Sequence, residues 1–226
     1  LQGMLEKIQF AADSFLDNGY QPLPWVGIHT ARRGEGTIAR WNAIRRSLSR
    51  EAIYSGMDIG CNVGFFCFAL ADMGIPMLGV DLESRYLRIA QYTARRLGIP
   101  IVGFCQLRVT LETIRILPTV DLVLCLSVWH HWVKEYGLES ADLLLMALWS
   151  RTGRVLYFET GETEMSEEFG MPNMGSSTED WLSAHLAKIC SGGRILHLGT
   201  FKAFAPFGDE VRNVVYRNMY KISRDR

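Results

Sequence analysis

The sequence has no Cys-x-x-Cys pair. Its five cysteines, Cys61, Cys67, Cys105, Cys125 and Cys190, are scattered and odd in number. That spacing argues against a zinc site, and no metal is expected. Most of them sit among apolar residues, where a reduced thiol behaves as a small hydrophobe. A reducing, cytoplasmic compartment is therefore expected. No run approaches the roughly 20 apolar residues that a membrane-spanning helix requires, so no membrane partner is expected. Neither sign of charge dominates, since Lys plus Arg and Asp plus Glu are 24 each. No global field draws the chain to nucleic acid or to an anionic membrane, although Arg40, Arg45, Arg46 and Arg50 crowd one short segment. The fingerprint Gly-x-Gly-x-x-Gly is also absent, which argues against a nicotinamide-dependent oxidoreductase. The chain opens on Leu1-Gln2-Gly3-Met4, neither a basic-then-apolar leader nor an initiator methionine. A processed, trimmed or partial chain is the expectation.

What is present is enough for one core. At 226 residues and 48% hydrophobic, a single α/β domain with an extension is the simplest reading. Leu5, Ile8, Phe10, Ala12, Phe15 and Leu16 recur at helical spacing over 4–17, and Asn18-Gly19 ends that pattern. A second helix is predicted from Glu35 or Thr37 to about Arg50. Residues 1–52 are thus an N-terminal helical extension or lid, expected to cover the open edge of the core, with Arg32 and Arg33 in the lid. From residue 53 to 226 strands and helices alternate. Strands are predicted at 55–59, 77–80, 101–105, 120–126 and 154–158. Helices are predicted from Gly64, over 84–97 with Ser84 as N-cap and Gly98 as stop, over 111–116, 138–150 and 178–190. Two last strands, 194–204 and 212–222, have no helix between them. The pattern predicts a doubly wound, mostly parallel seven-stranded sheet with a final antiparallel strand pair.

The most informative run is Met57-Asp58-Ile59-Gly60-Cys61-Asn62-Val63-Gly64, followed by Val80-Asp81. It reads as strand, glycine-bearing turn, helix, strand and acid, an order that makes a pocket for an adenosine-containing cofactor. Glycines at 60 and 64 let the backbone turn tightly and approach a ligand, and Asn62 tolerates left-handed geometry. A carboxylate at position 81 ends the next strand, where it can hold two ribose hydroxyls. Loops at the carboxyl ends of parallel strands face the ligand crevice. Ser127, His130 and His131, after strand four, are therefore aimed at it, and a histidine can take a proton near neutral pH. Trp129 and Trp132 wall the pocket or join the core. Glu159, ending strand five, faces the same crevice and can position an acceptor hydroxyl or ammonium.

The pattern Asp58-x-Gly60-Cys61-Asn62-x-Gly64, with Asp81, the 121–132 segment and the closing strand pair, resembles class I (Rossmann-like) S-adenosylmethionine-dependent methyltransferases. The resemblance implies S-adenosyl-L-methionine as cofactor. It implies that Asp58, Gly60, Cys61, Asn62 and Gly64 surround the methionine part, with Arg40 reaching its carboxylate. Asp81 takes the ribose and Leu82 flanks adenine. The family reads the adenine edge with an acid after strand three; here Arg108 stands near that place, a departure from the pattern. His130, His131 and Glu159 then face the acceptor. Balanced charge favours methyl transfer to O or N of a small molecule. An RNA-directed enzyme of the same fold, suggested by Arg40 before the Cys-Asn loop, and an inactive methyltransferase-like binding protein are the alternatives.

Overall fold

A computed structural model of the chain describes residues 3, 4, 6, 7, 9–11, 19–48, 52–165, 167–204 and 214–224. The helix expected over 4–17 is helical at 4, 6, 7 and 9–11 and otherwise falls outside the described residues. The element order then runs α1 (Gly34–Leu48), β1 (Gly56–Ile59), α2 (Phe65–Ala71), β2 (Met77–Asp81), α3 (Ser84–Leu97) and β3 (Val102–Gln106). It continues with β4 (Val120–Leu126), α4 (Trp129–Tyr136), α5 (Leu138–Ser150), β5 (Thr152–Glu159), α6 (Thr178–Ile189), β6 (Gly193–Phe204) and β7 (Val214–Arg224). Short 3-10 turns lie at Pro24–Val26, Thr113–Ile116 and Glu167–Phe169.

The seven strands form one sheet in the order β3-β2-β1-β4-β5-β7-β6. The first five are parallel, and β7 inserts antiparallel between β5 and β6. The doubly wound sheet with its closing antiparallel pair is the architecture the alternation predicts. Strand β4 shows why its sequence is an unbroken apolar run. Side chains alternate across a strand, so Leu122 and Leu124 enter the core on one face and Val123 and Cys125 the core on the other. Strand β5 divides likewise, with Val155 and Tyr157 opposite Leu156 and Phe158. Burial on both faces is what a central parallel strand requires.

One local expectation is corrected. Ser84 is the first residue of α3 rather than its N-cap; Glu83 holds that position and makes no side-chain cap. Gly98 ends the helix at φ 63°, where a Cβ would be strained. Helix α1 meets the edge strand β6 at its start, where Arg40 Nη2 donates to Lys202 O at 3.4 Å and Lys202 pairs with Glu35. Its Ala43, Ile44 and Leu48 share a core with Tyr157 of β5 and Met219 of β7, so it lies on the sheet face. Lys221 Nζ caps it by donating to Ser47 O at 2.8 Å, and Ser47 Oγ meets Tyr157 Oη at 2.6 Å.

Three features position the site. Register puts Ile59 beside both Val80 and Cys125, so β1, β2 and β4 end at one level. The chain winds outward in opposite directions from β1 and from β4, which makes the gap between them a topological switch point. The segment before α1 folds back over that gap. Trp25 anchors it, packing on Phe65 and Phe68 at 5.6 and 5.5 Å between ring centroids and donating to Asp72 Oδ2 at 2.7 Å.

Candidate active site

The turn after β1 is held open by three residues with positive φ: Gly60 at 72°, Asn62 at 51° and Gly64 at 87°. At Gly60 a Cβ would meet Val128 Cγ2 at 2.6 Å, and at Gly64 it would meet the Phe104 ring at 2.9 Å. The protein's own packing therefore demands glycine at both places. Asp81 ties this turn to β2. Its Oδ2 accepts from the Asn62 amide at 2.8 Å and its Oδ1 from the Glu83 amide at 2.9 Å. Each oxygen keeps a further lone pair for a ligand. The Asn62 side-chain oxygen is buried and has no hydrogen-bond partner, an acceptor left for something that enters from outside.

These groups open into a cavity of about 490 Å³, within the range of small-molecule and cofactor sites. Of the residues singled out in the sequence, Arg40, Gly60, Asn62, Asp81, Leu82, Arg108, Ser127 and His131 line it. Asp58, Cys61, Gly64, His130 and Glu159 do not. Asp58 lies beneath the turn, 3% exposed, where burial and the nearby Asp81 push its carboxyl well above the usual range. Cys67 Sγ is its hydrogen-bond donor at 3.9 Å. The Cys61 thiol is fully buried and packs under the same turn. Leu82 and Leu107 provide apolar surface beyond Asp81, and Arg108 pairs with Glu135 at the rim.

The two histidines divide because they sit on a helix. The sequence from Trp129 to Tyr136 is helical, an element the expected loop did not include, although Trp129, Trp132, Val133 and Tyr136 have the i, i+3, i+4, i+7 spacing that would have disclosed it. Neighbouring positions on a helix point about 100° apart, so one histidine turns in and one turns out. His130 is 3% exposed, and its Nδ1 accepts from the Gly161 amide at 2.8 Å. Nδ1 is therefore unprotonated, and burial holds the ring well below the usual imidazole range. It is a structural pin between α4 and the loop after β5. His131 lines the cavity. Burial first, then Arg217 and Arg33, lower its pKa, so the ring is neutral near pH 7. Trp129 is entirely core, whereas Trp132 reaches the cavity wall.

Glu159 is 0% exposed and does not face the crevice as expected. It is locked into an ion pair with Arg40 Nε, accepts from Ser127 Oγ at 2.7 Å and lies 3.9 Å from Arg217 Nη1. Buried charge persists only when it is paired, and here Glu159 is paired with Arg40 while Ser127 Oγ bonds its other oxygen. Arg217, 1% exposed, also donates to Glu164 Oε1 at 2.7 Å. Ser127, with φ 60°, and Arg40 bring this network to the cavity wall. Sequence reasoning missed Arg217, which carries no motif, and also Tyr20 and Gln21, which the folded-back segment brings to the cavity with Arg33. The Gln21 side-chain oxygen is another buried acceptor without a partner.

Comparison with known proteins bears on the fold and the domain family. The methyltransferase domain family matches residues 57–147. The chain is 29% identical over 119 residues to the O-antigen chain terminator bifunctional methyltransferase/kinase WbdD of Escherichia coli, a match covering 52% of this chain and 16% of that protein. It is 28% identical over 75 residues to the ubiquinone biosynthesis O-methyltransferase of Paracidovorax citrulli, covering 33% of this chain and 32% of that one. The chain thus spans a small part of the curated relatives it matches. The crystal structure of the bifunctional kinase-methyltransferase WbdD superposes with a TM-score of 0.68 and 23% identity over 95% of this chain and 46% of that one. Magnesium protoporphyrin IX methyltransferase (ChlM) from Synechocystis, with bound SAM, superposes with a TM-score of 0.58 and 18% identity, over 84% of this chain and 80% of that one. The chain has the fold of WbdD and of ChlM, and its residues 57–147 match the methyltransferase domain family.

Proposed function

We propose that the protein transfers a methyl group from S-adenosylmethionine to an oxygen or nitrogen of a small-molecule acceptor. The observation that carries this reading is the pairing of Asp81 with the left-handed turn at 60–64, both opening into one cavity at the switch point of the sheet. The residues fit the cofactor. Asp81 presents two carboxylate oxygens to the ribose hydroxyls, Leu82 and Leu107 flank the adenine, and the orphaned Asn62 oxygen receives a donor of the methionine part. When bound, the cofactor supplies a sulfonium-activated methyl group. The protein's share is to align the acceptor, exclude water and remove a proton where the acceptor carries one. Ile59, Val128 and Trp132 give the cavity apolar walls. His131 is the neutral base placed to take the proton.

A small acceptor suits a cavity of about 490 Å³ that must also take the cofactor. Titration calorimetry with S-adenosylhomocysteine tests the core of the reading. Wild-type protein is expected to give binding heat, and Asp81→Ala to weaken binding at least about tenfold, as loss of hydrogen bonds to a charged group implies. Absence of heat with wild type would remove the reading altogether. Tight RNA binding with a steep salt slope would instead move the acceptor to RNA.

A further inference from the structure

The cavity is not electrically uniform. Its adenosine end carries acids: Asp81 and Glu83, with Glu135 already paired to Arg108. At its other end stand three guanidiniums, Arg33 and Arg40 on the wall and Arg217 buried behind Ser127. Two of these have carboxylate partners. Arg40 takes Glu159, and Arg217 takes Glu164 while standing 3.9 Å from Glu159. Glu162, the remaining acid of the neighbourhood, is turned to Asn218, whose backbone and side-chain nitrogens donate to it at 2.5 to 3.1 Å. Arg33 is left over. It is partly buried, lines the cavity and stacks on the Tyr20 ring with its guanidinium carbon 4.5 Å from the centroid. Among the described residues no carboxylate pairs with it. A guanidinium that rests over an aromatic ring through its face spends no N–H on that contact, so its donors serve a bidentate oxyanion.

The cofactor's own charge sharpens the point. Its methionine end is a zwitterion and its sulfonium is a cation, so the filled site would hold one more positive charge than the empty one. A surplus guanidinium beside it is costly unless something anionic arrives. Resting on the methyl-transfer reading, we propose that the acceptor carries an oxyanion, carboxylate or phosphate, and that Arg33 is the residue that binds it. Arg33 sets specificity here. The stack on Tyr20 aims it, and His131 lines the same cavity.

The test uses four small probes on the full chain, with and without saturating S-adenosylhomocysteine: benzoate, phenyl phosphate, and their neutral counterparts benzamide and phenol. Calorimetry is expected to show the anions binding at least about tenfold more tightly than the neutral probes in wild type, the range of a charge-assisted hydrogen bond. Arg33→Gln is expected to abolish that preference while S-adenosylhomocysteine affinity stays within about twofold, and Arg33→Lys to keep part of it. The relative strength of the two anions tells carboxylate from phosphate. Equal binding of charged and neutral probes by wild type overturns the proposal, whatever the variants do. So does an Arg33→Gln protein that loses S-adenosylhomocysteine instead, because Arg33 then belongs to the cofactor's carboxylate. If wild type binds the anions through Arg33 and shows no heat with S-adenosylhomocysteine, the anion site stands and the methyl-transfer reading falls.

Discussion

Single residues decide how the turn after β1 can be built. Gly60 has φ 72° and lies where a Cβ would sit 2.6 Å from Val128 Cγ2. Alanine there meets both a conformational and a steric penalty, and Gly60→Ala is expected to cost about 1–3 kcal/mol in urea unfolding. A cost near zero would mean that the turn relaxes freely. His131 gives a second prediction. Burial and the cations Arg217 and Arg33 lower its pKa from 6.5, so the neutral, proton-accepting ring prevails through neutral pH. With an acceptor that bears a proton, kcat/KM is expected to hold level from neutral pH downward and to fall only below the ordinary imidazole value. His131→Gln should remove that acid limb along with most of the rate. Gly60 and Asp81 were legible in the sequence because a strand-turn-helix-strand order fixes where they stand. Glu159 was placed correctly at the end of β5 but not in its direction. Its partners Arg40 and Arg217 come from 119 residues before it and 58 after it, and no local pattern announces a pairing of that span.

Elements carry the next layer. The alternating α/β plan was readable because β4 and β5, buried on both faces, leave apolar runs, and because Gly98 and the amphipathic face of α3 mark a helix and its end. Helix α4 was not read, since eight residues rich in histidine and tryptophan look like a loop until their spacing is counted. The loop after β5 is a fastening. Strand β5 stops pairing with β7 at Glu159 and Met219. One residue before Met219 in β7, the Asn218 amide turns to the Glu162 carboxylate at 2.5 Å, so a side chain continues the hydrogen bonding that the strand has ended. Glu162 is 5% exposed, and burial pushes its carboxyl up from 4.5 to about 7. The folded state therefore holds a proton that the unfolded chain releases. That contribution to stability is full below about pH 4.5 and is lost as pH rises through about 7. Urea unfolding followed across that window is expected to show a stability that declines with pH. Glu162→Gln, which cannot ionise, should flatten the slope. A wild-type slope unchanged by the substitution would place the titrating group elsewhere.

At the scale of the molecule, the cavity gathers what the sequence scatters. Its walls come from the segment before α1, from α1 itself, from the ends of β1, β2 and β4, from the stretch after β3, and from α4. Arg40 of α1 reaches Glu159 of β5, and Arg217 of β7 reaches the loop after β5, so charge fastens α1, β5, β7 and that loop to one another beside the site. A ligand that touches all these elements binds only when they are assembled, so its affinity adds directly to global stability. S-adenosylhomocysteine at about one hundred times its dissociation constant is expected to raise the unfolding free energy by about 2.7 kcal/mol. NAD at the same concentration is expected to add nothing, because the turn at 60–64 lacks the glycine spacing that lets a pyrophosphate approach the backbone. Urea titrations followed by tryptophan fluorescence report the difference, since Trp132 lies on the cavity wall and Trp129 in the core behind it. Equal midpoints with and without S-adenosylhomocysteine would show that the elements come together without making a site for it. A shift with NAD alone would show that the cavity reads a dinucleotide despite its turn.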